Sequence, residues 1–246
     1  MVRQLPAHAG QGARPERHHA AGHERMRPSQ LVEQVGGTYA EELGIDLHRH
    51  DSGEVFKWFI AAVLFGARIS ESLAMRTHRE FQQAGVLSPS RMLDAGWDKL
   101  VELLDRGGYT RYDFKTATKL LDLSQTLQEQ YQGDLNALHE DARDEADLEQ
   151  RLMALGKGIG PVTVNIFLRE MRGIWPQAKP LPSERAIRAA RALGFIHAAA
   201  KDPARILQGL ESAWRSDGMK SKDFAAFEAA LVRHESQLWK RRQRGH

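Results

Sequence analysis

The stretch Leu155–Asn165, LGKGIGPVTVN, holds the residues whose types and spacing point most directly to chemistry. Gly158-Ile159-Gly160 lies between two runs of helical spacing. Leu148, Leu152 and Leu155 precede it, and Val164, Phe167, Leu168 and Met171 follow. Pro161 stands where the second helix would begin, the helical position at which proline is favourable. Two helices joined by a glycine hairpin leave backbone N–H groups and a helix N-terminus facing outward, and bare glycine lets an anion approach the backbone closely. Such a helix-hairpin-helix grips a nucleic-acid backbone without reading its sequence. Its candidate contacts are Lys157, Gly158, Ile159, Gly160, Val162 and Thr163. The same GxG also serves as an ordinary helix C-cap followed by a tight turn. Pro161, in addition, removes one N–H that would have reached a phosphate.

The elements that must position this hairpin read as all-α. Helical spacing predicts helices at about 29–43, 53–66, 71–84, 89–95, 97–106, 110–131, 134–140, 146–155, 161–173, 183–193, 203–215 and 221–241. Breaks fall at Gly66-Ala67, Gly85, Gly107-Gly108, Gly173 and Pro176–Pro182. Strand signals are nearly absent, and no internal repeat is visible. At 246 residues the chain is long enough for one large or two small domains with a real core. No run of about 18 apolar residues suggests a membrane span, and the N-terminus lacks the apolar core of a signal peptide.

Charge is unevenly spread. Residues 1–28 hold five arginines and two glutamates, or +3, and residues 240–246 add Lys240, Arg241, Arg242 and Arg244, or +4. With a whole-chain charge of +3, the body between is about −4. Affinity for DNA must therefore come from local patterning and basic tails. Residues 1–28, rich in Gly, Pro, Arg and His, bury too little apolar surface to order themselves and read as a disordered basic tail. His48 and His50, with Asp46 and Asp51, match no strong metal-ligand spacing, so no metal site is expected.

From Phe56 to Arg191 the chain resembles the helix-hairpin-helix DNA glycosylase superfamily, to which endonuclease III and the 3-methyladenine glycosylases belong. Four segments carry the likeness, in order. AAVLFGARISES (Ala61–Ser72) is similar to the family's AVLLSAQATD, and GGYTRYDFKTATKLL (Gly107–Leu121) to its G-x-Y-x-x-K-A helix start. The hairpin follows, with Thr163 and Asn165 matching T-A-N, and LPSERAIRAARALG (Leu181–Gly194) takes the place of the helix bearing the catalytic aspartate. The resemblance implies two helical domains. Residues 52–179 would form a six-helix barrel ending in the helix-hairpin-helix, and residues 29–51 plus 180–246 a terminal helical domain. The lesion pocket would lie between them.

It also implies roles. Arg68 aligns with the glutamine that fills the gap left by a flipped nucleotide, and Tyr109, Arg111 and Tyr112 form a polar-aromatic cluster that would line the base pocket. A core role for one of these tyrosines is the competing reading. Asp113 is read as the cap of the helix that follows. The implied partner is double-stranded DNA, damaged or mismatched. It would be bound by a monomer in the cytoplasm, associated with the nucleoid and not with a membrane.

Three departures bear on the reaction. The lyase lysine of bifunctional members falls on Val162, so no matched amine can form a Schiff base. The catalytic aspartate falls on Ser183, with Glu184 one residue later. Serine carries no charge with which to stabilise an oxocarbenium-like transition state, whereas Glu184 would supply one if it reaches the pocket. Both also read as an N-cap and a first-turn acid. Finally, a chain with no cysteine cannot hold a thiolate-ligated iron–sulfur cluster. No cofactor is expected beyond a monovalent cation at the hairpin, which the resemblance allows. The expected activity is a monofunctional DNA glycosylase in base-excision repair. A non-catalytic binder of distorted DNA is the alternative, and a helical scaffold without nucleic acid comes third.

Overall fold

The computed structural model describes residues 26–111 and 113–244, and within them the chain is helical throughout, with no strand. Most of the expected tail, residues 1–25, lies outside the described residues; Pro28 already belongs to the first helix. The helices are α1 (Pro28–Val35), α2 (Tyr39–Glu42), α3 (Ser52–Phe65), α4 (Glu71–Gln83), α5 (Pro89–Gly107), α6 (Asp113–Tyr131), α7 (Leu135–Glu140), α8 (Glu145–Ala154), α9 (Pro161–Met171), α10 (Glu184–Ala192), α11 (Pro203–Ser216) and α12 (Phe224–Arg244). None is long and apolar enough to cross a membrane.

Local chemistry sets most boundaries. Asp51, Ser70, Ser88, Asp134, Asp144, Ser183 and Asp202 each accept a backbone N–H as N-caps. Gly96 (φ 75°) interrupts α5 where the sequence separates residues 89–95 from 97–106. The helix expected at 29–43 is instead two, because Gly36 (φ 96°) ends α1 and Thr38 caps α2. Among the described residues the span 52–179 contains seven helices, α3 to α9, where the resemblance implies six; α7 has only six residues.

Two apolar cores result. The larger gathers Phe56, Trp58, Phe59, Phe81, Leu104, Leu120, Leu152 and Phe167 from α3 to α9, and α2 contributes Tyr39 and Ala40. The smaller joins Leu31 of α1 to Ala186 and Ile187 of α10, Trp214 of α11 and Phe227 of α12. The segment 29–51, expected to belong wholly to the terminal domain, is thus shared: α1 packs in the smaller core, and Tyr39, Leu43, Ile45 and Leu47 in the larger.

Close backbone approach fixes the end of α3. Gly66 has an ordinary helical φ of −70°, so its glycine is required by space and not by conformation. A Cβ there would collide with Thr163 Oγ1 and sit 3.2 Å from Ala62 O. This contact seats the α3–α4 turn against the first turn of α9. Gly66→Ala is expected to destabilise the protein by about 1–3 kcal/mol, read as a shift in the denaturant midpoint.

His78 lies fully buried on α4, its Nε2 3.1 Å from Lys57 O and its Nδ1 without a partner. Burial pushes its imidazole down to about 4, against the pull of the Lys57 carbonyl. The folded state therefore holds His78 neutral, while the unfolded chain takes up its proton below about 6.5. Stability from this residue is full at pH 7 and is lost as pH falls from about 6.5 towards 4. The loss reaches the order of 3 kcal/mol. Denaturation midpoints across this range should slope down on acidification, and His78→Gln should remove much of that slope.

Candidate functional site

The hairpin forms as the glycine spacing requires. α8 ends at Ala154, Leu155 is buried beneath the turn, and Ile159 N–H closes onto Gly156 O at 3.1 Å. Gly158 has φ +86°, a conformation that disfavours any side chain. Ile159 is buried and pins the turn to the larger core. Gly160 is the N-cap of α9, Pro161 is its first residue, and no side chain caps that helix. A Cβ at Gly160 would meet nothing within 4 Å, so its outer face is open to close approach. Lys157 and Val162 are exposed, Val162 at 64%, while Thr163 is buried against Gly66.

One basic residue beside this turn was not singled out from the sequence. Lys119, on α6, lies over Gly158: a Cβ there would be 3.1 Å from Lys119 Cε and 3.4 Å from its Nζ. It is half-buried, without an ion-pair partner among the described residues, and burial lowers its pKa. Helical spacing from Leu120 and Leu123 places it one step off the core face, a signal too common to mark it.

Two further elements meet the hairpin helix. Asn165, on α9, donates through Nδ2 to Leu181 O at 2.8 Å and so ties the segment before α10 to the hairpin. The α3–α4 turn, seated on Thr163 through Gly66, closes with Ile69 N–H on Ala67 O at 2.9 Å. That turn exposes Arg68, whose guanidinium makes no hydrogen bond or ion pair within the described residues. From the same turn Glu71 reaches Arg185 of α10, with Nη1 3.5 Å from Oε1. The structure thus brings the hairpin helix, the Arg68 turn and the start of α10 to one place.

The remaining candidates divide. Ser183 acts as N-cap of α10, its Oγ accepting Ala186 N–H at 3.3 Å, and Glu184 is exposed in the first turn without a partner among the described residues. Tyr109 is a correction. It is 3% exposed, and its hydroxyl accepts a hydrogen bond from Thr116 Oγ1 at 3.2 Å, so its ring is core and offers no face to a base. Arg111 is exposed; Tyr112 lies outside the described residues. Asp113 accepts Phe114 N–H at 2.8 Å. An exposed aromatic pair, Trp97 and Phe114, packs at 5.2 Å nearby on α5 and α6.

Two cavities of about 360 Å³ open where the cores meet, one against Trp175 and Trp214, the other against Thr38 and Lys222. Neither is lined by a candidate residue. Near His48 and His50, Asp46 pairs with Arg49 at 3.0 Å and Asp51 caps α3.

No protein-family model matches the chain, and no curated protein matches it. Ser183→Ala is expected to cost about 1 kcal/mol through loss of the cap, whereas Ser183→Asp keeps it; thermal unfolding of both variants distinguishes a cap from a dispensable surface hydroxyl.

Proposed function

We propose that this protein binds double-stranded DNA containing a damaged or mismatched base and hydrolyses the N-glycosidic bond of that base. One observation carries the reading. An uncapped helix start behind a glycine hairpin, an unpartnered arginine on a tight turn and the start of α10 converge through Gly66–Thr163, Asn165–Leu181 and Glu71–Arg185. The superfamily resemblance supplies the reaction class.

In the proposed sequence of events, the amides of the α9 N-terminus take a backbone phosphate, with Lys157 and Lys119 adding charge beside Gly158. Arg68 enters the duplex where the target nucleotide leaves the stack; its guanidinium is free to bond the orphaned base. The C1′–N bond then breaks, its electron pair leaving with the base, and water adds to C1′. A carboxylate near the sugar stabilises the developing positive charge. Two carboxylates stand where α4 meets α10, Glu184 and Glu71. The position of the lyase lysine is Val162, so strand cleavage by β-elimination has no matched amine.

A non-catalytic binder of distorted DNA is the second reading. Ser183, at the position aligned with the catalytic aspartate, is engaged as a cap and carries no charge.

The test is incubation with duplexes carrying uracil, thymine opposite guanine, hypoxanthine, 8-oxoguanine or an alkylated purine, followed by gel analysis with and without alkali. Breaks that appear only after alkali are expected on at least one duplex. Breaks without alkali point to an amine at the hairpin, Lys157 or Lys119. Salt-dependent binding with no breaks on any duplex establishes the second reading.

A further inference from the structure

Glu71 is the first residue of α4, a position where acids are usual because the helix dipole favours them. Such residues are ordinarily solvated and unconstrained. Glu71 is neither: its side chain is 19% exposed, and its Oε1 accepts from Ser236 Oγ at 2.5 Å and lies 3.5 Å from Arg185 Nη1. Ser236 is itself buried on α12, and Arg185 follows Glu184 on α10. The carboxylate is therefore fixed by two elements foreign to its own. Its second oxygen, Oε2, makes no hydrogen bond among the described residues. Nearby charge responds to it. After burial itself, Glu71 is the strongest influence raising the Tyr39 phenol above its ordinary range, and the buried hydroxyl of Tyr39 has no partner.

Glu184 has none of this. It is exposed and makes no contact that would hold its carboxylate in one place. A charge that stabilises a cationic transition state is worth most when it is partly desolvated and already in position, since neither water nor rotamers must then rearrange. Glu71 meets both conditions, and it stands three residues from Arg68, on the turn that would enter the duplex.

We propose that Glu71, positioned by Ser236 and Arg185, is the carboxylate that acts on the sugar in base excision. The proposal rests on the glycosylase reading above. In the step, Oε2 of Glu71 accepts a proton from water as the water oxygen bonds to C1′. The C1′–N bond breaks, and its electron pair departs with the base, which takes a proton from solvent. Glu71 then returns its own proton to solvent.

The experiment measures single-turnover base release on the duplex that the wild-type protein processes. Affinity is measured in parallel for the same duplex carrying a tetrahydrofuran abasic analogue. For Glu71→Gln the rate should fall by roughly 100-fold or more while affinity and melting temperature hold. Glu71→Asp should recover part of that rate, and Ser236→Ala, which frees the carboxylate without removing it, should fall by about tenfold. Glu184→Gln should lose far less than Glu71→Gln. A parallel loss of rate and affinity in Glu71→Gln would make the residue a clasp between helices and overturn the proposal. So would a larger loss in Glu184→Gln than in Glu71→Gln. Base release by the wild type with Glu71→Gln unaffected refutes this assignment alone, whereas no release from any duplex refutes it together with the reading it rests on.

Discussion

Glu170 sits on the last turn of the hairpin helix with no side-chain exposure, and its two oxygens accept the N–H groups of Tyr39 and Ala40 at 2.9 and 2.8 Å. Burial raises its pKa, and those amides together with Arg169 and Arg233 oppose the rise. A carboxylate in the interior is tolerated only when its lone pairs are satisfied, and removing one partner strands the charge. The beginning of the chain and the hairpin helix are consequently bound to each other. Arg233 of α12 extends the same network: it lies 3.9 Å over the Tyr39 ring, donates to Gly37 O and pairs with Glu42 at 2.6 Å. Arg172, two residues after Glu170 and the C-cap of α9, pairs with Glu228 of α12 at 2.5 Å and also donates to Pro180 O. Buried charge from α9 thus holds α2 on one side and α12 on the other, and the smaller core is placed relative to the hairpin by these pairs.

That constraint has a consequence for the hairpin face. A glycine turn in a mobile setting loses much of any phosphate affinity to the entropy of ordering it. Here the turn is anchored below by Leu155 and Ile159, flanked by the Gly66–Thr163 contact and backed by a helix whose far end is locked by Glu170. The polar groups left outward are those that the packing cannot use: the amides at the start of α9, the Lys157 and Lys119 ammonium groups and Arg68. Rigid apolar support beneath and unpaired donors above is the arrangement by which a small surface binds an anion without first rearranging.

How much of this was legible in the sequence depends on the range of the interaction. The hairpin, the break at Gly96 and the caps at Ser70 and Ser183 are local, set by glycine and short polar side chains within a few residues, and helical spacing exposes them. Helical spacing alone runs 29–43 together, whereas Gly36 at positive φ and the Thr38 cap divide it. Arg233, some two hundred residues away, donates to Gly37 O and Thr38 O at that break. Tyr109 read equally well as core or pocket, and its burial with its bond to Thr116 decides for core. Glu71 and Glu170 carried no signal: a first-turn acid and a helical Arg-Glu pair are common on solvated faces, and their burial arises from helices distant in sequence. The superfamily resemblance rests on four short motifs.

Charge at this place must be judged locally. Between its basic ends the chain carries a net charge of about −4, and at physiological salt a charge farther away than about 8 Å is largely screened. In the proposed reading, registering a duplex on the hairpin takes charge that lies close to it. Registration falls to the few cations at the convergence. Two of the arginines near it are already spoken for, Arg185 by Glu71 and Arg188 by Glu235 at 2.9 Å. Arg68, Lys157 and Lys119 remain uncommitted. The half-burial of Lys119 costs the uncharged-to-charged balance of its amine and is relieved by an anion. A phosphate at Gly158 would provide one, so the desolvation that weakens Lys119 in the free protein becomes a reason for it to bind there.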